Sequence, residues 1–350
     1  MSAVGDRARS LYDERLAKLD LTIEGYDLVR HERAVSSGFT RVTTEIVLRG
    51  RGKEGRGEDV TYDAPDHDDY PAELGLGWAG TLHSFLRRLS WQPLFAREPA
   101  RPASREYRRW AFESAALDLA LRQAGLSLGE ALGLPYRPVR FVVSTRLDIR
   151  PWLALYPGLQ FKLDPTADWD AGLITEVAAT GSVRIVDFKA YYAAGMLADP
   201  PDAAVYRAVL AAFPEAIVED AATDGATAEL VRAAARRLSW DAPIHSWADV
   251  EALPLPARHL NIKPSRFGTL RVLIDCIERA RSAGIELYGG GQFELGVGRG
   301  QIQALASLFY PDGPNDVAPI GYNEPQARAG LPASPLAPAA QVAGFGFDGT

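Results

Sequence analysis

Arg184-Ile-Val-Asp-Phe-Lys189, Ala216-Ile-Val-Glu-Asp220, Asp241-Ala-Pro-Ile-His245 and His259-Leu-Asn-Ile-Lys-Pro264 are the stretches that decide the fold. Each is short, apolar in the middle, and bounded by charged or ionisable residues. Runs of this kind predict strands buried on both faces. Most are followed by a stretch with helical periodicity. The order is therefore strand, helix, strand, helix, which implies a parallel sheet covered by helices. In such sheets chemistry gathers at the C-terminal ends of the strands. Asp187, Glu219 and Lys263 fall at those ends, so two carboxylates and an ammonium are expected in one mouth.

Working outward, further strands are expected near Arg140–Ser144, Gln160–Leu163, Arg184–Phe188, Ala216–Glu219, Ala242–His245, His259–Lys263, Glu286–Tyr288 and Ala318–Tyr322. These eight segments suit the repeat of a TIM-type barrel. Upstream, residues 21–62 read as a small antiparallel sheet. Leu21 to His31, Thr40 to Leu48 and Glu58 to Tyr62 supply the strands, with turns at Ser36-Ser-Gly38 and Gly52-Lys-Glu-Gly-Arg-Gly57. Asp63 to Asp69 reads as a solvated acidic loop. Residues 75–133 read as helices: one over Gly80–Leu86, and one from Arg105 to Gln123 capped by Ser104 and ended by Gly125. Pro135 and Pro138 mark a boundary. The expected organisation is an α+β domain over 1–135, a barrel over 136–325, and an irregular tail over 326–350 packing on the first domain.

The composition narrows the function classes. The chain has 350 residues, of which 47% are hydrophobic and 24% charged, as in an ordinary globular protein. A net charge of −7 with no basic run argues against nucleic acid or an anionic membrane as partner. Cys276 is the single cysteine, so an intrachain disulfide and a thiolate cluster are both excluded. Its apolar surroundings predict an inert buried thiol. Met1 to Leu19 lacks the apolar core of a signal peptide, and no stretch is apolar enough to span a membrane; a cytoplasmic location is expected.

Taken together, these motifs resemble the enolase superfamily, in its branch of muconate-lactonising enzymes and o-succinylbenzoate synthases. Ala111-Phe-Glu-Ser-Ala-Ala-Leu-Asp-Leu-Ala-Leu121 with Gly129-Glu-Ala-Leu-Gly133 resembles the helix joining the family's two domains. Ile185-Val-Asp187 and Ile217-Val-Glu219-Asp220 resemble the strands bearing the first two magnesium carboxylates. Asn261-Ile-Lys263-Pro-Ser-Arg266-Phe-Gly268 resembles the strand of the catalytic lysine, and Gly289-Gly-Gly-Gln-Phe-Glu294 the strand end that closes over substrate.

The resemblance implies an α/β fold, a modified (β/α)7β TIM-type barrel preceded by an α+β capping domain. It implies abstraction of a proton alpha to the carboxylate of a small-molecule substrate, with the enediolate stabilised by Mg2+. Dehydration, cycloisomerisation or racemisation would follow, the o-succinylbenzoate synthase-like reaction being favoured. It also implies a specificity loop at Arg33 to Phe39 and assembly into homo-oligomers.

Three departures qualify the match. The family's Lys-x-Lys is Lys162-Leu-Asp164 here, so an aspartate stands in the catalytic position, facing the same side as Lys162. The family's Asp-Glu pair on strand five is absent, with His245-Ser246 in its place. Asp249 is then the remaining candidate for third metal carboxylate, although Ser246-x-x-Asp249 also reads as a capping box. Finally, the usual Asp-x-Asn is Asp187-Phe-Lys189, which would place the Lys189 ammonium where the metal belongs.

The candidate catalytic residues are Lys263, Asp164 and Lys162, and the metal ligands Asp187, Glu219 and Asp249. Lys189, Asp220, His245, Arg266 and Glu294 line the site. Gly296-Val-Gly-Arg-Gly300 is a weak candidate for phosphate binding. Two other readings stand beside the enzyme: a pseudoenzyme that keeps the barrel for ligand binding, and a metal-free enzyme in which Lys189 replaces the metal.

Overall fold

The computed structural model describes residues 10–36, 38–192, 200–339 and 342–347. The strands are β1 (Asp20–Ile23), β2 (Gly25–Ala34), β3 (Thr40–Gly50), β4 (Lys53–Asp59), β5 (Trp78–Thr81), β6 (Val143–Thr145), β7 (Phe161–Leu163), β8 (Val183–Asp187), β9 (Ile217–Glu219), β10 (Leu238–Trp240), β11 (His259–Ile262) and β12 (Glu286–Gly289). The helices are α1 (Leu82–Leu89), α2 (Ser104–Ala124), α3 (Leu128–Leu132), α4 (Arg150–Leu155), α5 (Ala171–Ala179), α6 (Ala203–Ala212), α7 (Ala228–Ala233), α8 (Trp247–Glu251), α9 (Pro264–Phe267), α10 (Leu270–Ser282) and α11 (Val297–Phe309).

In the N-terminal part, β2, β3 and β4 form an antiparallel meander, while β1 pairs with β5. The stretch Gly52–Gly57 is not a turn, as its glycines suggest. The turn is confined to Arg51-Gly52, and Gly55 and Gly57 lie inside β4. Their purpose is close approach. A Cβ on Gly55 would stand 2.2 Å from the Leu119 backbone nitrogen, and one on Gly57 would stand 2.1 Å from the Ala111 carbonyl oxygen. Strand β4 thus rests directly on α2, where backbone rather than a flexible side chain would have to yield. Gly57→Ala is expected to destabilise the protein by about 2–3 kcal/mol, read as a lower urea midpoint at an unchanged m-value.

Helix α2 is buried along most of its length and ends at Gly125, whose φ of 70° suits glycine. Ser104 does not cap it. Ser104 is the first helical residue, and Ala103 precedes it without a side-chain cap. The helix expected over Gly80–Leu86 begins two residues later, because Trp78–Thr81 pairs with β1; Thr81 caps α1 by accepting from Ser84 N.

The acidic loop 63–69 is likewise not a solvated loop. It contains a 3-10 helix, and Asp66, His67 and Asp69 are buried around the Arg108 guanidinium. Arg108 Nε donates to Asp59 Oδ2 at 2.8 Å, and its terminal nitrogens donate to the carbonyls of Asp66, Asp69 and Leu94. Its guanidinium also lies 3.8 Å from the centre of the Tyr70 ring and 3.5 Å from that of Phe95.

The C-terminal part is a seven-stranded parallel sheet in sequential order from β6 to β12. The sheet closes through Asn315 and Asp316: Asn315 bridges Phe141 ahead of β6, and Asp316 bridges Gly290 beyond β12. This two-residue stave takes the place of the strand expected over Ala318–Tyr322, where Ile320–Asn323 forms a 3-10 helix instead. The strand expected over Ala242–His245 also lies earlier, at β10. Pro243 has no N–H to give to a central ladder.

Tail residues reach both parts. Phe345 N donates to Asp118 of α2, and Leu336 pairs with Val139 beside the barrel. Cys276 is fully buried on α10, and burial pushes its thiol up to about 12. Among the described residues no helix is long and apolar enough to cross a membrane.

Candidate active site

Parallel register places the ionisable residues in one row. Asp187 and Glu219 are paired at the ends of β8 and β9. Ser239 of β10 is level with Glu219, so Asp241 follows two residues on and points to the same side. Asp241 is the residue the sequence reading missed. Like Asp187 and Glu219 it ends a short strand in a carboxylate, here Leu238-Ser-Trp240-Asp241, but a serine interrupts the apolar run.

Lys162 is level with Ile185, two residues short of Asp187, so its chain rises from the layer below. Its ammonium stands between the two carboxylates. It lies 3.0 Å from Asp187 Oδ2, is hydrogen-bonded to Glu219 Oε1, and is 3.8 Å from Asp316 Oδ2. Lys162 is 1% exposed, and Asp187 and Glu219 are fully buried. Glu219 also accepts from the Tyr288 hydroxyl and, at 3.3 Å, from the Asn261 amide. The three donors favour its charged form, but burial outweighs them and raises Glu219 to about 8.

Lys189 extends the row on one side. It has a positive φ of 53°, and its ammonium lies 2.7 Å from Asp187 Oδ2 and 3.4 Å from Asp164 Oδ1. Asp164 also binds Arg146 Nε at 2.9 Å. On the other side, Asp241 takes Lys263 Nζ at 2.8 Å, the Tyr192 hydroxyl at 2.9 Å and Arg266 Nε at 3.3 Å. Gly290 makes room there, since a Cβ on it would meet Asn261 Oδ1 at 2.4 Å and Lys263 Cε at 2.9 Å. Ammonium and carboxylate groups therefore alternate from Asp164 through Lys189, Asp187 and Lys162 to Glu219, and Asp241 with Lys263 forms a separate pair.

The electrostatics follow from this alternation. Burial alone would lower the Lys162 ammonium, but Asp187 and Glu219 more than offset it and raise it well above the ordinary lysine range. Burial likewise opposes the Lys263 charge, and Asp241 outweighs it, so Lys263 stays protonated. Burial would raise Asp187; Lys162 and Lys189 reverse that and hold it low. Burial raises Glu219, with Lys162 pulling the other way. Burial and the nearby Asp241 raise Asp220 to about 7.

The remaining candidates are placed as follows. Asp220, at φ 47°, accepts from the backbone nitrogens of Asp241 and Ala242 and so ties β9 to the end of β10. His245 Nδ1 lies 3.0 Å from the Arg266 carbonyl. Asp249 does not join the carboxylate row. Its carboxylate accepts from His245 N and the Ser246 hydroxyl ahead of α8, and Ser246 makes no side-chain cap, so neither the metal role nor the expected capping box is formed. Glu294 accepts from Gln292 N and pairs with Arg299.

The Gly296–Gly300 segment already has an anion at its helix terminus. The Glu58 carboxylate accepts from the backbone nitrogens of Leu295, Gly296 and Gly298, which locks β4 of the first part onto α11 of the barrel. In the loop expected at Arg33 to Phe39, Ser37 lies outside the described residues. Ser36 N donates to Asn323 O, and the Phe39 ring packs edge-on against Phe293.

A magnesium ion requires oxygen ligands at about 2.1 Å in near-octahedral array. Between Asp187 and Glu219 that position is filled by Lys162 Nζ, and Asp241 is turned to Lys263 and Arg266. Among the described residues no group of three His, Cys, Asp or Glu side chains is arranged to hold a metal ion. The residues present do not fit the divalent cation that the resemblance implied. Nor is Lys189 the ammonium that bridges Asp187 and Glu219; Lys162 is.

The family models bear on both parts of the chain. One described as "Domain of unknown function (DUF8230) C-terminal domain" matches residues 135–324, more than half of the sequence. The chain belongs to the DUF8230 family. The corresponding N-terminal model matches residues 14–131. No curated protein matches the sequence.

Among solved structures, this DUF8230 protein is similar to muconate cycloisomerase from Pseudomonas fluorescens. The identity is 20% over 94% of this chain and 97% of that one, with a TM-score of 0.65. An enolase superfamily member from Listeria innocua has 20% identity over 94% of both chains and a TM-score of 0.63. The muconate lactonizing enzyme from Pseudomonas putida has 19% identity over 85% of this chain and 88% of that one, with a TM-score of 0.61. At this identity the likeness is one of fold, and the DUF8230 chain has the fold of the enolase superfamily: a capping domain followed by a barrel.

Proposed function

We propose that the protein is an enolase-type enzyme that removes a proton alpha to the carboxylate of a small-molecule substrate. Asp164 is the proton acceptor and Lys263 the opposing cation. The observation that carries this reading is their placement. Asp164 follows β7 and Lys263 follows β11, the second and sixth staves of the barrel, which stand opposite one another across the mouth. A planar enediolate between them would meet a carboxylate on the face that loses the proton and an ammonium on the other.

Lys263 is suited to the cationic role, because Asp241 keeps it charged. Asp164 lines a small pocket with Arg146, Thr166, Lys189, Asp202 and Tyr206. Within this reaction class, the dehydration of the o-succinylbenzoate synthase kind is the first to assay.

A second reading has its own observation in support. Asp164 is tied to both Arg146 and Lys189, which would suit a barrel that binds a carboxylate without turning it over. Solvent deuterium exchange at the alpha carbon, followed by NMR over a panel of small carboxylates, separates the two. Exchange that falls at least about a hundredfold in Asp164→Asn, with ligand binding kept, supports the enzyme. Binding with no exchange by the wild type contradicts it and leaves the binding protein.

A further inference from the structure

We infer that the Lys162 ammonium is a built-in replacement for the divalent cation of this fold, and that its removal opens a cation site between Asp187 and Glu219. The inference goes beyond the proposed reaction and stands apart from it, because its readout is metal binding and not turnover.

The geometry supports this in three ways. First, the ammonium takes the position of shared contact. One Nζ meets an oxygen of Asp187 and an oxygen of Glu219, with a third carboxylate, Asp316, at 3.8 Å. Second, the side chain is enclosed, at 1% exposure, and Asp187 and Glu219 are fully buried, so it has no solvent-facing alternative beside them. Third, the surroundings hold the carboxylates in place without it. Tyr288 and Asn261 fix Glu219, and Lys189 Nζ fixes Asp187 at 2.7 Å.

Chemistry separates the two occupants. An ammonium gives three directed hydrogen bonds at about 2.8 Å, whereas a hard dication takes carboxylate oxygens at about 2.1 Å. Both cannot fill one gap. With Lys162 shortened, the gap keeps two carboxylates from adjacent strand ends, with Asp316 near and room for water, which is a hard-oxygen donor set.

The test is a Mn2+ titration followed by electron paramagnetic resonance, on the full chain at pH 7.5. The wild type is expected to show no stoichiometric binding. Lys162→Ala is expected to bind one Mn2+ at least about tenfold more tightly, and its thermal midpoint to rise with Mn2+ while the wild type's does not. Lys162→Met, which refills the space without charge, is expected to bind none. Stoichiometric wild-type binding that vanishes in Asp187→Ala overturns the inference, as does a folded Lys162→Ala that binds no Mn2+. Should Lys162→Ala fail to fold in any buffer, the wild-type titration decides alone. Failure of the proposed reaction would appear in the exchange assay and leave these results untouched.

Discussion

Lys162→Met is expected to destabilise the protein by about 3–5 kcal/mol, the range for breaking a buried ion pair from one side. The replacement conserves most of the volume and removes the charge. Asp187 keeps Lys189, but Glu219 keeps only the Tyr288 and Asn261 donors. The loss also has a predictable pH dependence. Burial already raises Glu219, and Lys162 is the principal opposing influence. Without Lys162 the carboxyl rises further above its unfolded value, so the folded variant binds a proton more tightly than the unfolded chain. Stability gained in that way is full at low pH and is lost as pH rises. The deficit relative to the wild type should therefore be smaller at pH 5 than at pH 8. Urea unfolding at both values reads it, and Lys162→Met with Glu219→Gln should recover part of the loss. A deficit below about 1 kcal/mol would mean that the ammonium is not paired as placed.

Arg108→Met is expected to cost a similar amount, about 3–5 kcal/mol, for reasons that lie wholly in the first domain. Arg108 and Asp59 are both fully buried and 2.8 Å apart. Losing the guanidinium strands Asp59 with Thr61 and Tyr70 as its remaining donors. It also strands the carbonyls of Asp66, Asp69 and Leu94. An unsatisfied buried acceptor costs about 1–3 kcal/mol, so the segment around Asp66 and Asp69 is expected to loosen first. Hydrogen exchange at those amides should rise more than in α2. Asp59→Asn added to Arg108→Met should restore some stability by removing the stranded charge.

The strand ends that carry chemistry were legible because each combined an apolar run with a terminal ionisable residue. Asp187, Glu219 and Lys263 satisfy that rule, and parallel register brings them to one edge. Asp241 follows Leu238-Ser-Trp240, whose serine interrupts the apolar run, so the sequence reads as a strand forward from the aspartate, over Asp241–His245, rather than back to Leu238. Pro243 already argued against that choice, since a central strand needs its N–H.

The closing stave was out of reach for a different reason. Asn315 and Asp316 make only isolated bridges, and two residues leave no periodicity to read. Gly55 and Gly57 read as turn residues because a glycine needed for close packing on a helix looks, in one dimension, like a glycine needed for a turn. The acidic stretch Asp63–Asp69 reads as solvated because its partner, Arg108, is about forty residues away in sequence. Lys162 is the instructive case. Alternation placed it on the same side as Asp164, but nothing local says that a lysine will reach up one layer to sit between two carboxylates. That depends on barrel geometry.

The most direct test of the central claim is a crystal structure grown or soaked in millimolar MnCl2, with an anomalous difference map at the manganese edge. The expected map shows Lys162 Nζ between Asp187 and Glu219 and no anomalous peak there. A peak bound by those carboxylates and Asp241, with Lys162 swung aside, would contradict it and return the site to metal-dependent chemistry.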